Sequence, residues 1–137
     1  MREYKFRAWD KVGHKMLYDV ATGVITITDY SMFQHSREEK TAKSDDCQFM
    51  QFTGLLDKNG KEIYEGDIMG EYQILGDFAG NYEVYGKIYF DTDLFSFCVE
   101  RSNGGWEYLH EFYQNRLTKF SEVIGNIYEN PQLLTSK

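Results

Sequence analysis

The chain is poor in the residues that usually announce chemistry: one proline, two cysteines and three histidines in 137 residues. A single proline beside 42% hydrophobic residues argues for a folded chain, not a disordered one. Cys47 and Cys98 allow one disulfide at most and sit in strand-like apolar runs, so reduced thiols in a cytoplasm are expected. His14, His35 and His110 share no close metal-ligand spacing with the cysteines, and no metal or cofactor is expected. An apolar run of about 18 residues, the length needed to span a bilayer as a helix, is missing. The N-terminus lacks the apolar core of a signal peptide, so the expected location is the cytoplasm, with no membrane partner. Cations are also scarce. Fifteen Lys and Arg against 22 Asp and Glu leave a net charge of −7 and a pI of about 4.9. That balance disfavours generic attraction to nucleic acid or anionic lipid, although a local basic patch could still act.

What the chain does have is rings: 17% of residues are Phe, Trp or Tyr. Such content favours sheet, and either a large core or an aromatic contact surface. The length suits one domain over residues 1–137, burying ~68% of its unfolded surface. Two intertwined β sub-domains, about 1–53 and 54–137, are the other arrangement compatible with it.

Strand patterns recur along the chain. Residues 2 to 9 alternate with a period of two, placing Arg2, Tyr4, Phe6 and Ala8 opposite Glu3, Lys5, Arg7 and Trp9. A hairpin turn at Lys11–His14 leads to Met16–Tyr18, and Val24–Thr28 has strong β propensity. Residues 36–46 hold no apolar side chain larger than alanine and read as a surface loop. Alternation returns over Cys47–Thr53. Asp57-Lys58-Asn59-Gly60 has the chemistry of a tight reversal, and Glu65-Gly66-Asp67 marks another break. Gly54, Gly60, Gly66 and Gly70 are expected to serve backbone geometry; a phosphate cradle would need a following helix, and none is signalled.

Downstream, Tyr72–Leu75 extends a strand and residues 76–81 read as a glycine-broken loop. Tyr82–Phe90 is a strand in which Gly86 suggests a bulge or a bend. After a turn at Asp91–Asp93, Leu94–Val99 is the next strand. Leu109, Phe112, Tyr113 and Leu117 fall at helical spacing, which favours a short helix within Trp106–Leu117. Phe120–Tyr128 reads as the last strand, and Asn130-Pro131 as an N-cap with proline at the first position of a single turn through Leu134.

Residues Thr53 to Asp67, Thr-Gly-Leu-Leu-Asp-Lys-Asn-Gly-Lys-Glu-Ile-Tyr-Glu-Gly-Asp, resemble the central signature of the YopX-like family of phage and prophage proteins. The opening Arg2–Lys11 and the closing Val123–Leu134 agree with it, so the resemblance covers the whole chain, while 29–46 and 70–118 match loosely. It implies a phage accessory protein of unknown activity, with no catalytic residue to carry over. It also implies a mainly β fold with an SH3-like barrel in the central and C-terminal part.

Patterns that approach known chemistry fall short of it. His110-Glu111 begins a zinc-protease pattern, but Gln114 stands where the second histidine must be. In Asp57–Gly60 the glycine comes too early for a calcium loop. Asp67, Asp91 and Asp93 stand in turns, where carboxylates cap backbone N–H groups. The expectation is therefore a non-catalytic module that binds protein, either a second copy or a host factor. The alternative is a single-stranded nucleic-acid-binding small barrel. Its face would be Arg2, Lys5, Arg7, Trp9 and Lys11, where cations interleave with aromatics in an opening of net +3.

Overall fold

The computed structural model describes residues 4–20, 46–75, 78–102, 104–114 and 121–135, with the backbone alone at 19, 72–75 and 78–82. The fold is mainly β, as expected. Its contacts divide the chain into two compact units, Met1–Gly54 and Leu55–Lys137.

In the first unit, strand β1 (Phe6–Asp10) lies between β2 (Lys15–Val20) and the start of β3 (Cys47–Leu56). Both pairings are antiparallel: Trp9 faces Met16 and Gln48, and Asp10 faces Lys15 and Cys47. Ala8, Val20 and Cys47 form the core, with Phe6, Leu17 and Phe49 packed against them. β1 keeps continuous register against β3 from Phe6 to Asp10, and the shift against β2 between Phe6 and Ala8 places its extra residue on β2. Arg7 and Ala8, on opposite sides of the strand, are both buried. The strand expected at Val24–Thr28 and all but the last residue of the loop expected at 36–46 lie outside the described residues.

The second unit holds β4 (Glu62–Tyr64), β5 (Asp67–Leu75), β6 (Phe78–Asp91), β7 (Ser96–Arg101), β8 (Trp106–Tyr108), the one-turn helix α1 (Leu109–Phe112), β9 (Ser121–Asn126) and the one-turn helix α2 (Gln132–Thr135). β4 closes the four-stranded order β2-β1-β3-β4, and the other five strands take the order β8-β7-β6-β5-β9. The latter is an antiparallel meander whose last strand returns beside its first. β8 and β9 are its edges among the described residues, so these pairings do not establish the barrel closure that the resemblance implied. The core is Ile63, Met69, Ile88, Val99, Leu109 and Phe112, joined by Leu55, Tyr85, Phe97, Tyr113 and Val123.

Turns of the central segment supply the hydrogen bonds that this sheet's edge needs. Asp57 is buried, and its Oδ1 accepts the backbone N–H groups of Asn59 and Lys61 at 2.9 Å each. Its Oδ2 accepts the N–H of Val123 in β9, also at 2.9 Å. The Lys58 N–H donates to Ser121 O, so the tip of the β3–β4 turn lies along β9. One turn later Gly66 donates to Ile88 O at 2.8 Å and accepts from the Ile127 N–H at 2.9 Å. Asp67, 1% exposed, takes the Tyr64 N–H on Oδ2. Gly60 and Gly66 have φ of 82° and 84°, which is what the turns require of them, and Gly54, at φ 87°, lies within β3.

Several local expectations give way to pairing. Residues 78–81 are strand, not loop, because β5 and β6 continue as a ribbon with Gln73 facing Asn81 and Leu75 facing Phe78. Trp106–Tyr108 is strand, because it pairs with Glu100–Cys98; the helix begins only at Leu109, where Leu109 and Phe112 are buried as their spacing required. The last turn opens at Asn130-Pro131 as expected, with Asn130 O accepting the Leu133 N–H at 3.1 Å and Pro131 O the Leu134 N–H at 3.2 Å. The Asn130 side chain turns the other way, its Oδ1 accepting the backbone N–H of Asn126. The bulge expected near Gly86 is present: Met69 faces Gly86 while Gly70 faces Val84, leaving Tyr85 as the extra residue. A Cβ on Gly86 would come within 1.8 Å of the Glu100 carbonyl oxygen, so β7 can approach β6 only because no side chain is there.

Two substitutions follow from these contacts. Gly86→Ala forces β6 and β7 apart and should lower unfolding free energy by at least ~2 kcal/mol; an unchanged urea midpoint would contradict the close approach. Asp57→Asn turns one acceptor into a donor aimed at an N–H and should cost ~2–3 kcal/mol. The matching readout is faster amide exchange at Val123, Asn59 and Lys61, and wild-type protection at all three would count against the three-way bond.

Candidate functional site

Of the five residues expected to form a basic aromatic face, the four that are described do not share an open surface. Arg2 lies outside the described residues. Arg7 is 2% exposed and Lys5 is half-buried, its Nζ 5.6 Å from the centre of the Phe52 ring. Trp9 is half-buried and meets His14 edge-on at 6.5 Å. Lys11 is exposed, at the end of β1.

The groups of ordinary catalytic chemistry are also dispersed. Among the described residues no three His, Cys, Asp or Glu side chains gather as a metal would require. His110 and Glu111 are exposed on α1, where the His110 imidazole stacks on Tyr108 at 5.3 Å. Both cysteines are free thiols and buried. Burial, with the carboxylates of Asp10 and Asp46 nearby, pushes the Cys47 thiol up to about 11. Burial likewise raises Cys98, against a hydrogen bond with Tyr89 that lowers it. Neither thiol has the depressed value of a nucleophile. A hollow of about 310 Å³ beside β9 is lined by Glu122, Val123, Ile124 and Leu133, without the convergent polar groups of a small-molecule site. Asp67 and Asp91 cap turns. On β8's neighbour, Arg101 pairs with Glu107 at 3.2 Å and lies over the Tyr85 ring, whose hydroxyl donates to the same carboxylate. That trio braces the bulge.

The unusual place is the turn from β6 to β7, Asp91-Thr92-Asp93-Leu94-Phe95. Strand β7 was expected to start at Leu94 but starts at Ser96, because Asp91 Oδ1 accepts the N–H groups of Asp93 and Leu94 at 2.9 and 3.0 Å and bends the chain first. Phe95 closes the turn at φ 48°, in the left-handed region. It is 84% exposed, more than any other large apolar side chain among the described residues. Leu94 beside it is 40% exposed and Phe90 37%, the Phe90 ring resting edge-on against Phe97 at 5.2 Å. An apolar strip thus runs from the core cluster, through Phe97 and Phe90, to the turn.

The β1–β2 turn is built the same way. Asp10 Oδ1 accepts the N–H groups of Val12 and Gly13 at 3.0 and 2.9 Å, and His14 closes the turn at φ 52°. There the left-handed residue is polar and touches Trp9. Phe95 instead combines an aromatic ring, exposure and a backbone region that costs an L-residue ~1–2 kcal/mol. Further along the same sheet, Trp106 on edge strand β8 is 51% exposed and meets Tyr108 edge-on at 5.4 Å. Sequence reasoning missed Leu94, Phe95 and Trp106. The available signal was a turn with neither glycine nor asparagine at its closing position.

Comparison with known proteins adds a family and a neighbour. The profile of a family described as "YopX protein" matches residues 5–135. The crystal structure of protein EF1440 from Enterococcus faecalis is similar to this chain, with 30% identity and a TM-score of 0.58 over 98% of this chain and 99% of that one. No curated protein matches.

If the left-handed conformation at Phe95 is a burden on the fold, Phe95→Asn should raise unfolding free energy by ~0.5–1 kcal/mol. Lower stability in urea would mean that the ring supports the fold. For Cys47, raised from an ordinary 9.0 to about 11, the sign runs against alkaline pH. Below 9.0 both folded and unfolded chains keep the proton; above it only the unfolded chain gains by ionising. Stability should therefore fall between pH 9 and about 11, by up to ~2 kcal/mol. The same fall in Cys47→Ala would show that other groups cause it.

Proposed function

This chain belongs to the YopX protein family, and from that premise we propose that it is a non-catalytic phage or prophage accessory protein that works by binding another protein in the host cytoplasm. The observation that carries this reading is Phe95, an aromatic ring 84% exposed on a backbone held at φ 48°. Folding gains nothing evident from that combination. Association does, because aromatic anchors dominate binding energy when a partner buries them. Trp106 on the β8 edge adds a second exposed ring on the same sheet. No helix among the described residues is long and apolar enough to cross a membrane.

The nucleic-acid alternative is the weaker one. It needs cations and rings on one open face, and Arg7 is 2% exposed in a chain of net charge −7. Light scattering over a hundredfold concentration range, with affinity capture of the tagged full chain from its host cell, tests the proposal. A self-associated species or a stoichiometric protein partner is expected. A monomer that retains no protein but binds a fluorescent single-stranded oligonucleotide at low salt would replace it with the alternative.

A further inference from the structure

We infer that the Asp91–Phe95 turn is the anchor of the interface, and that its occupant is a cationic protein surface with an apolar pocket rather than a second copy of this chain. The inference rests on the protein-binding reading and goes further by naming the element and the chemistry of its partner.

Geometry gives the anchor. β6 and β7 pair in unbroken register from Gly86–Arg101 out to Asp91–Ser96, so the turn stands at the free end of a rigid ribbon. The two N–H bonds to Asp91 fix the turn's path, and the left-handed residue at its close is the most exposed large apolar side chain described. A ring presented on a stiff support loses little conformational freedom when a pocket receives it, which favours tight association. Leu94 and Phe90 extend the apolar contact on either side, and Phe97 ties it to the core.

Charge selects the occupant. Residues 90–97, Phe-Asp-Thr-Asp-Leu-Phe-Ser-Phe, contain two carboxylates and no cation. The first lysine up the ribbon, Lys87, is held by Glu100 at 3.2 Å. Two copies meeting through this turn would bring four carboxylates within about a Debye length, ~8–10 Å, on bodies that each carry −7. A phosphate backbone would be repelled in the same way. Lysine or arginine around an apolar pocket would instead pair with Asp91 and Asp93 as the ring is buried, and long-range attraction would speed the encounter. The β1–β2 turn shows that the backbone path does not demand this chemistry, because Lys11 and Lys15 flank its Asp10.

Photo-cross-linking with the full chain in its host cell tests this, using benzoylphenylalanine in place of Phe95 in one variant and of Trp106 in another. The expected result is an adduct from position 95 whose cross-linked peptide has apolar residues flanked by lysine or arginine. Its yield should fall at least fivefold in the Asp93→Lys background, and by a similar factor when lysate salt is raised from about 0.05 M to about 0.3 M. Phe95→Asn should capture none of that partner while unfolding at the same or higher urea concentration, which separates lost binding from lost folding. An adduct with this chain itself, or adducts from position 106 alone, would overturn the inference and leave the protein-binding reading standing. Adducts from neither position, with a monomer in solution, would overturn both.

Discussion

The second unit depends on where three backbone N–H groups go. Strand β9 arrives late in the chain and lies at the edge of its sheet, where an unpaired row of N–H and C=O groups invites pairing with other chains. The Asp57 carboxylate answers part of that need, taking the Val123 N–H on one oxygen while the other holds the N–H groups of Asn59 and Lys61. Lys58 then donates to Ser121 O, and Gly66 links β6 to the residue after β9. A neutral side chain could not satisfy three donors from two distant segments at once. The central segment is thus a clasp: its turns hold the first, second and last strands of the meander in one register. That ties the segments Thr53–Asp67 and Val123–Leu134 together physically, although some sixty positions separate them.

The clasp is made of the Asp57 carboxylate and a few backbone bonds, all away from the far end of the β6–β7 ribbon. Ile88, Val99 and Phe97 bury the near part of the ribbon in the core, and Gly86 lets its strands approach. Beyond Phe90 and Phe97 the ribbon contributes little burial of its own, and Phe95 is 84% exposed. An element so placed can carry side chains chosen for something outside the molecule. In the β1–β2 turn the same backbone solution carries His14, which meets Trp9 within the unit. One scaffold detail therefore serves two ends: a ring contact within one unit and an outward ring in the other.

Much of this was legible in the residues. Turn chemistry at Asp57–Gly60, alternation over Cys47–Thr53, the strand pattern of Tyr82–Phe90, and the buried Leu109 and Phe112 of α1 follow local rules that tertiary contacts did not disturb. The failures share a cause. Residues 78–81 and Trp106–Tyr108 take their conformation from partners across a ladder, and glycine content or helical spacing cannot register a partner. Arg7 looked like a member of an open basic face because alternation alone placed it beside Lys5 and Trp9; alternation gives the side of the strand and not whether that side is covered, and Arg7 is 2% exposed. The turn at Phe95 was hidden for a related reason. Phe-Ser-Phe reads as strand, and only the Asp91 carboxylate, bonding two N–H groups ahead of it, delays the strand until Ser96.

That delay also accounts for how the turn is maintained. Holding an aromatic residue in the left-handed region costs ~1–2 kcal/mol, and exposing its ring forgoes burial as well. Hydrogen bonds to a charged acceptor contribute ~1.5–3 kcal/mol each where shielded and less where exposed. The two that Asp91 accepts, discounted for their exposure, are of the same size as the backbone cost. The turn is thus close to balanced within itself, and the six ladder pairs from Gly86 to Asp91 decide which way it folds. Replacing Phe95 by a residue at ease there would leave that ladder intact and remove the cost. The ring at Phe95, 84% exposed, thus gives the turn no evident gain within the chain, which is the point from which the proposed protein-binding reading starts.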